Sequence, residues 1–243
     1  MNHIRIAMWS GPRNISTALM RSFENRADTT VMDEPFYGYY LKTTKFDHPM
    51  KEEVLNSQNI NWDNVVDLCS NKVFKGFSIV YQKHMSHHLM MDNDLSWLKK
   101  VKNCILIRNP KYVINSYIKK YNIEDVHQLG YIQQLRILNY IKKYNFEDPI
   151  ILDASDILVN PKCILKKLCK KLNINFTNQM LSWPKGGRDT DGVWAKHWYK
   201  NVINSTGFIK PREKKINIDS QLGDIYKKCM KQYEVLYDKR LKL

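Results

Sequence analysis

Ile4-Arg5-Ile6-Ala7-Met8-Trp9, running on through Ser10-Gly11-Pro12-Arg13-Asn14-Ile15-Ser16-Thr17, reads as a buried strand that enters a tight loop and then a helix. Such a turn aims several backbone N–H groups and the positive end of a helix dipole at one point, so an anion there is stabilised without a metal. Arg13 adds a cation, and Ser16 and Thr17 add hydroxyl donors in the first helical turn. A nucleoside triphosphatase loop would carry Gly-Lys directly before the Ser/Thr, whereas Asn14-Ile15 stand there. The loop suits phosphate, but not ordinary Mg-ATP. Gly11-Pro12 as a plain turn and Ser16 as a helix N-cap explain the same residues, so a second motif must decide.

Outward from this loop the chain alternates strands and helices. Thr30-Val31-Met32-Asp33 is a short apolar segment ending in Glu34-Pro35, and Pro35 disfavours helix at Glu34, leaving its carboxylate on a strand-end loop. Helical stretches follow near Met50–Asn56 and Trp62–Ser70, then a third strand over Val73–Ser78 that leads into a His-rich segment with His84, His87 and His88. Asn103–Ile107 is a continuous apolar run of the kind buried on both faces of a parallel sheet. It ends in Arg108-Asn109-Pro110, with Pro110 in the first turn of a helix reaching Lys120. A long helix is expected from Ile123 to Tyr144, a fifth strand over Pro149–Leu152, and a helix from Lys162 to Leu172 opened by Asn160-Pro161. An irregular loop from Trp183 to Asp191 and a closing helix from Asp219 to Arg240 complete the chain. The pattern predicts an α/β fold, a three-layer P-loop type with a central, mainly parallel sheet of about five strands flanked by helices and ligands at the strands' carboxyl ends. The 243 residues fit one domain, 1–243.

Lys and Arg outnumber Asp and Glu, 39 to 24, for a net charge of +15. The excess is spread over Lys-rich helices and no basic run is interleaved with stacking aromatics, so no nucleic acid is expected as a partner. The five cysteines include no CxxC pair and suggest neither a disulfide framework nor a zinc site. With no stretch long enough to span a membrane and no secretory leader, the expected location is cytoplasmic, with no membrane partner. A homodimer is left open.

Three strand ends place Arg13 with Ser16 and Thr17, Asp33 with Glu34, and Arg108 with Ser116 on one rim. Arg108 leaves the sheet just before a helix and Ser116 lies about two turns into it, so the two can close on one phosphate. Together with the first loop, the element Arg108-Asn109-Pro110-Lys111-Tyr112-Val113-Ile114-Asn115-Ser116-Tyr117 resembles the sulfotransferase superfamily that uses 3′-phosphoadenosine 5′-phosphosulfate (PAPS). The resemblance implies that Gly11, Pro12, Arg13, Asn14, Ile15, Ser16 and Thr17 hold the 5′-phosphosulfate and that Arg108 and Ser116 hold the 3′-phosphate. Pro184-Lys185-Gly186-Gly187-Arg188 is similar to the family's Lys-Gly loop over the 3′-phosphate, which adds Lys185 and Gly186, with Trp194 in the trailing Gly-x-Trp position. Asp33-Glu34-Pro35-Phe36 looks closer to the bacterial and carbohydrate-type members, while the cytosolic enzymes use a His after the third strand. Arg13 stands where many members carry Lys, and no Trp follows Thr17 as in the cytosolic aryl enzymes.

The activity so implied is metal-independent, in-line transfer of a sulfuryl group from PAPS to a hydroxyl of a small-molecule acceptor, releasing adenosine 3′,5′-bisphosphate. Arg13 stabilises the leaving charge. Glu34 is the first choice of general base, and His84, His87 and His88 are the alternatives. Asp33 is expected to orient the loop, and no metal is expected. Phe36, Tyr37, Tyr39 and Tyr40, with Trp97, His197, Trp198 and the histidines His87 and His88, are the candidate acceptor contacts. Two other functions share parts of this pattern: a P-loop small-molecule kinase using ATP, and a non-catalytic binder of anionic polymers.

Overall fold

The first strand, β1 (Ile4–Ser10), is buried beyond its first residue, and its alternate side chains feed two different cores. Ile6 and Met8 pack with Leu19, Met20 and Phe23 on one face, while Ala7 and Trp9 pack with Ile105, Ile107 and Ile137 on the other. That division follows from the two-residue period of a strand, and it makes β1 the middle of three layers. A computed structural model describes residues 3–210 and 216–243. With β2 (Thr29–Asp33), β3 (Ile79–Met85), β4 (Lys102–Ile107) and β5 (Ile150–Asp153), the strands form one all-parallel sheet in the order β2-β3-β1-β4-β5.

One face is covered by α1 (Ser16–Glu24), α2 (Tyr37–Thr44), α3 (Lys51–Ser57), α7 (Ala154–Val159) and α8 (Pro161–Leu172), with the short helices α9 (Ala195–Trp198) and α10 (Lys200–Ile203) beside them. The other is covered by α4 (Trp62–Asn71), α5 (Pro110–Tyr117), α6 (Tyr131–Lys143) and α11 (Gly223–Tyr237). No helix among the described residues is long and apolar enough to cross a membrane. The chain leaves β1 toward β2 on one side and leaves β4 toward β5 on the other. The switch of direction therefore falls between β1 and β4, and the crevice it opens at their carboxyl ends is where ligands bind in such sheets.

Three expected elements are corrected. The third strand is Ile79–Met85, not Val73–Ser78: Val73 is exposed and Gly76 turns the chain at φ +86°. The polar triplet Gln82-Lys83-His84 hid a strand whose residues are all buried. The helix expected from Ile123 to Tyr144 is broken at Gly130, φ +78°, so that a single 3₁₀ turn, Val126–Leu129, precedes α6. Gly130 must be small because a Cβ there would lie 3.3 Å from the Gly11 Cα. The closing helix begins at Gly223 and ends at Tyr237, shorter at both ends than the apolar pattern. Asn109 and Asn160 do cap α5 and α8, accepting from the amides of Lys111 and Cys163.

Candidate active site

The loop between β1 and α1 is drawn tight against its neighbours. A Cβ on Gly11 would meet the Leu129 carbonyl oxygen at 2.5 Å, so only glycine lets the two segments approach. Arg13 takes up left-handed backbone, φ +54°, a conformation that costs free energy for a residue with a side chain. It is held there from β4: the Arg108 guanidinium donates to the Arg13 carbonyl at 2.7 Å, and Arg13 Nε donates to Ser116 Oγ at 2.9 Å. Asn14 Nδ2 donates to the Leu106 carbonyl at 3.1 Å, tying the loop to the end of β4. Ser16 is the first residue of α1 rather than its N-cap; Ile15 stands at the cap, no side chain caps it, and the first turn carries no acidic residue. The opening amides of α1 are thus left for an acceptor from outside the helix.

Two clefts meet at this loop. The first, a cavity of about 150 Å³, is lined by Pro12, Arg13, Asn14, Ser16 and Thr17 on the loop side. Glu34, Lys83, Met85, His87 and His88 from the ends of β2 and β3 face them, and Tyr37, His48, Tyr117, Tyr121, Trp198 and Tyr199 close the walls. The second, about 400 Å³, is bounded by Arg13, Asn14, Ile15, Thr17 and Ala18, by Arg108 and Ser116, and by the segment from Trp198 to Ile209. Arg13, Asn14, Thr17, Trp198 and Tyr199 belong to both. Burial lowers the Arg108 pKa, yet a guanidinium stays charged at neutral pH.

Glu34 sits, like Arg13, in left-handed backbone, φ +44°. Its amide donates to the Lys83 carbonyl at 2.9 Å, and its own carbonyl accepts from the Tyr37 amide and from Gln58 Nε2, each at 3.0 Å. The Glu34 carboxylate accepts a hydrogen bond from the buried Lys83 ammonium, which also donates to Asp33 at 2.9 Å and to the Tyr199 hydroxyl at 2.6 Å. Burial pushes the Glu34 carboxyl up against the pull of Lys83. For Lys83, burial works to lower the pKa, but the Asp33 and Glu34 carboxylates outweigh it and hold the ammonium protonated.

The three histidines separate. His84 lies on the opposite face of β3 from Lys83, stacked on Trp9 at 4.2 Å between ring centroids, with Nε2 3.1 Å from Gln82 Oε1. It lines neither cleft; the two-residue period of the strand turns it away. Burial lowers its pKa to about 3. His87 and His88 do line the first cleft. His87 is lowered to about 3, by burial and then by His48, and His88 falls well below its ordinary value for the same first reason. Both are neutral imidazoles whose Nδ1 atoms are buried without a protein partner.

Of the expected aromatic contacts, Tyr37 and Trp198 line the first cleft. Phe36 packs away from it with Trp62, His84 and Trp97, and Tyr40 stands behind the wall, stacked on His88. Tyr39 accepts from Asn93, and His197 contacts the Tyr121 hydroxyl from outside the cleft. Lys185 and Gly186 also line neither cleft. Their loop is instead pinned to α1, where buried Arg21 binds Asp191 at 2.6 Å and Glu24 at 3.0 Å. The wall facing Arg108 and Ser116 is formed by Asn201, Val202, Ser205, Gly207, Phe208 and Ile209. Lys83, His48, Tyr117, Tyr121 and Tyr199 were not expected at the site. None carried a clear signal in the sequence: Lys83 stands opposite Asp33 only once β3 runs over Ile79–Met85.

Comparison with known proteins gives this arrangement its context. The chain is 34% identical over 236 residues to "Branched-chain-amino-acid aminotransferase-like protein 1" of Arabidopsis thaliana and 33% identical over 232 residues to the like-named protein 2. Each alignment takes in 95% of this chain but 41% of the relative, so the chain spans well under half the length of those proteins. Among solved structures it shares its fold with the "Sulfotransferase Domain from the Curacin Biosynthetic Pathway", at TM-score 0.54 and 16% identity over 96% of this chain and 98% of that one. The sulfotransferase domain of the Synechococcus PCC 7002 olefin synthase superposes at TM-score 0.59 with 12% identity, over 96% of this chain and 94% of that one. A sulfotransferase from Alicyclobacillus acidocaldarius gives 0.54 and 11%, over 99% and 98%. A family model described as "Sulfotransferase domain" matches residues 4–239, and the chain accordingly belongs to the sulfotransferase domain family.

Proposed function

We propose that this chain, folded as one domain, transfers a sulfuryl group from PAPS to a hydroxyl of a small-molecule acceptor. The observation that carries the reading is the bridge made by Arg13, which lines both clefts and hydrogen-bonds to Ser116 while Arg108 holds its carbonyl. Two anionic groups of one nucleotide fit this donor set. Arg13, Ser16, Thr17 and the uncapped amides of α1 receive the 5′ side, and Arg108 with Ser116 receives the 3′-phosphate, walled by Asn201 to Ile209. The bound phosphosulfate supplies an activated sulfuryl group and a stable leaving bisphosphate.

Glu34 takes the acceptor's proton. It lines the first cleft, with its pKa raised by burial, which makes it a stronger base than a free carboxylate. As the acceptor oxygen forms its bond to sulfur, the bond from sulfur to the bridging phosphate oxygen breaks, and that electron pair stays on the bisphosphate. Arg13 and the α1 amides stabilise the charge that builds there. With His84 outside the cleft, Glu34 and the histidines His48, His87 and His88 are the groups lining it that can accept a proton.

Thermal stabilisation by adenosine 3′,5′-bisphosphate, set against AMP and against ATP with Mg²⁺, tests the reading, because a ligand of the native state raises Tm. Selective stabilisation by the bisphosphate is expected. A shift only with ATP and Mg²⁺ would overturn the reading in favour of a kinase.

A further inference from the structure

We propose that Asp33 is a positioning residue of the transfer: by sharing the Lys83 ammonium, it keeps Glu34 from being neutralised in a one-to-one ion pair and leaves that carboxylate able to accept a proton. The inference rests on the assignment of Glu34 as base.

The geometry treats the two adjacent carboxylates unequally. Asp33 is saturated: Lys83 donates to Oδ1 at 2.9 Å, Tyr199 Oη lies 2.7 Å from each carboxylate oxygen, and the Gly192 amide donates to Oδ2 at 3.1 Å. Its side chain is 1% exposed. Glu34 gives Lys83 a single oxygen, is 11% exposed and lines the cleft. Tyr199 completes the arrangement, accepting from Lys83 at 2.6 Å and from Trp194 Nε1 at 3.1 Å while donating to Asp33. One ammonium is thus divided between two carboxylates, and Asp33 alone also holds the Gly192 amide. The other titratable groups lining the cleft with Glu34 are Tyr37, Tyr117 and Tyr121, the histidines His48, His87 and His88, and Arg13. His84 is on the far face of β3, and the neutral state of the histidines leaves Asp33, Lys83 and Arg13 as the charges that face Glu34. The negative charge of Asp33 itself also raises Glu34.

The test is the carboxyl ¹³C titration of Glu34 by NMR, assigned by its disappearance in Glu34→Gln, in the whole chain without ligand. In Asp33→Asn the ammonium faces Glu34 alone, and the Glu34 midpoint is expected to fall by about one pH unit or more, the effect of an unshared opposite charge. Asp33→Glu, which restores the charge, should return it toward the starting value. Asp33→Ser, which removes the same charge in a smaller side chain, should lower the midpoint likewise and carries the test if Asp33→Asn does not fold. An unmoved or raised midpoint in the folded neutral variant, or no return in Asp33→Glu, overturns the proposal. The titration needs neither cofactor nor acceptor. Failure of the bisphosphate to stabilise the protein would count against the sulfotransferase reading alone.

Discussion

Glu34 and Arg13 face each other across the first cleft, and both hold a left-handed backbone that side-chain-bearing residues rarely adopt. Glu34 and Arg108 are expected to show their roles separately. Glu34→Gln should leave affinity for adenosine 3′,5′-bisphosphate intact and lower kcat by roughly 10²-fold or more, the usual contribution of a general base; a variant of full activity would move the base to His87 or His88. Arg108→Ala should weaken binding of the bisphosphate roughly tenfold to hundredfold, the value of charge-assisted hydrogen bonds, with a much smaller effect on AMP, as read by calorimetry. Equal losses on both nucleotides would instead locate the effect in the Arg13 carbonyl that Arg108 supports. At this scale the sequence was legible where a residue stands beside a glycine, a proline or a strand end: Arg13, Glu34, Arg108 and Ser116 all reach the clefts. It was illegible where the outcome depends on strand register. Shifting β3 by six residues from its expected position decided that Lys83 faces the cleft and His84 does not.

Among the elements, the β1–α1 loop and the turn before α6 act as one joint. Gly11 and Gly130 touch because neither has a side chain, and Gln134 of α6 donates to the Trp9 and Leu106 carbonyls at 3.2 and 3.0 Å, closing the ends of β1 and β4. Gly11→Ala forces a methyl onto the Leu129 carbonyl and is expected to cost roughly 1–3 kcal/mol of stability, as overpacking does, together with bisphosphate affinity; urea denaturation and the ligand-dependent Tm shift read the two effects. A helix over Ile123–Tyr144 was the natural expectation from its apolar spacing, because Gly130 is tolerated in many helices. What breaks it is a tertiary contact, invisible along the chain. The loop carrying Lys185 and Gly186 lies outside both clefts, its position set by Asp191 meeting Arg21, 170 residues away.

For the molecule as a whole, the alternation of strands and helices was enough to give the parallel sheet, its three layers and the rim where the two clefts open. Its acid sensitivity follows from groups that could not be recognised before the fold was known. His84 and His87 are neutral in the native state with pKa near 3, whereas an unfolded histidine titrates near 6.5, so the unfolded chain binds more protons as the pH falls. Stability should be fully present above about pH 6.5 and decline below it, by up to about 2 kcal/mol per histidine at pH 5; denaturation curves of His84→Phe, with its ring stack retained, should show a shallower decline. The shared wall between the clefts has an optical consequence. Of the six tryptophans, Trp198 alone lines either cleft, and it lines both, so its indole emission should change when nucleotide enters on one side or acceptor on the other. The Trp198→Phe difference spectrum would then count occupancy of each side in turn, giving an acceptor screen that needs no turnover.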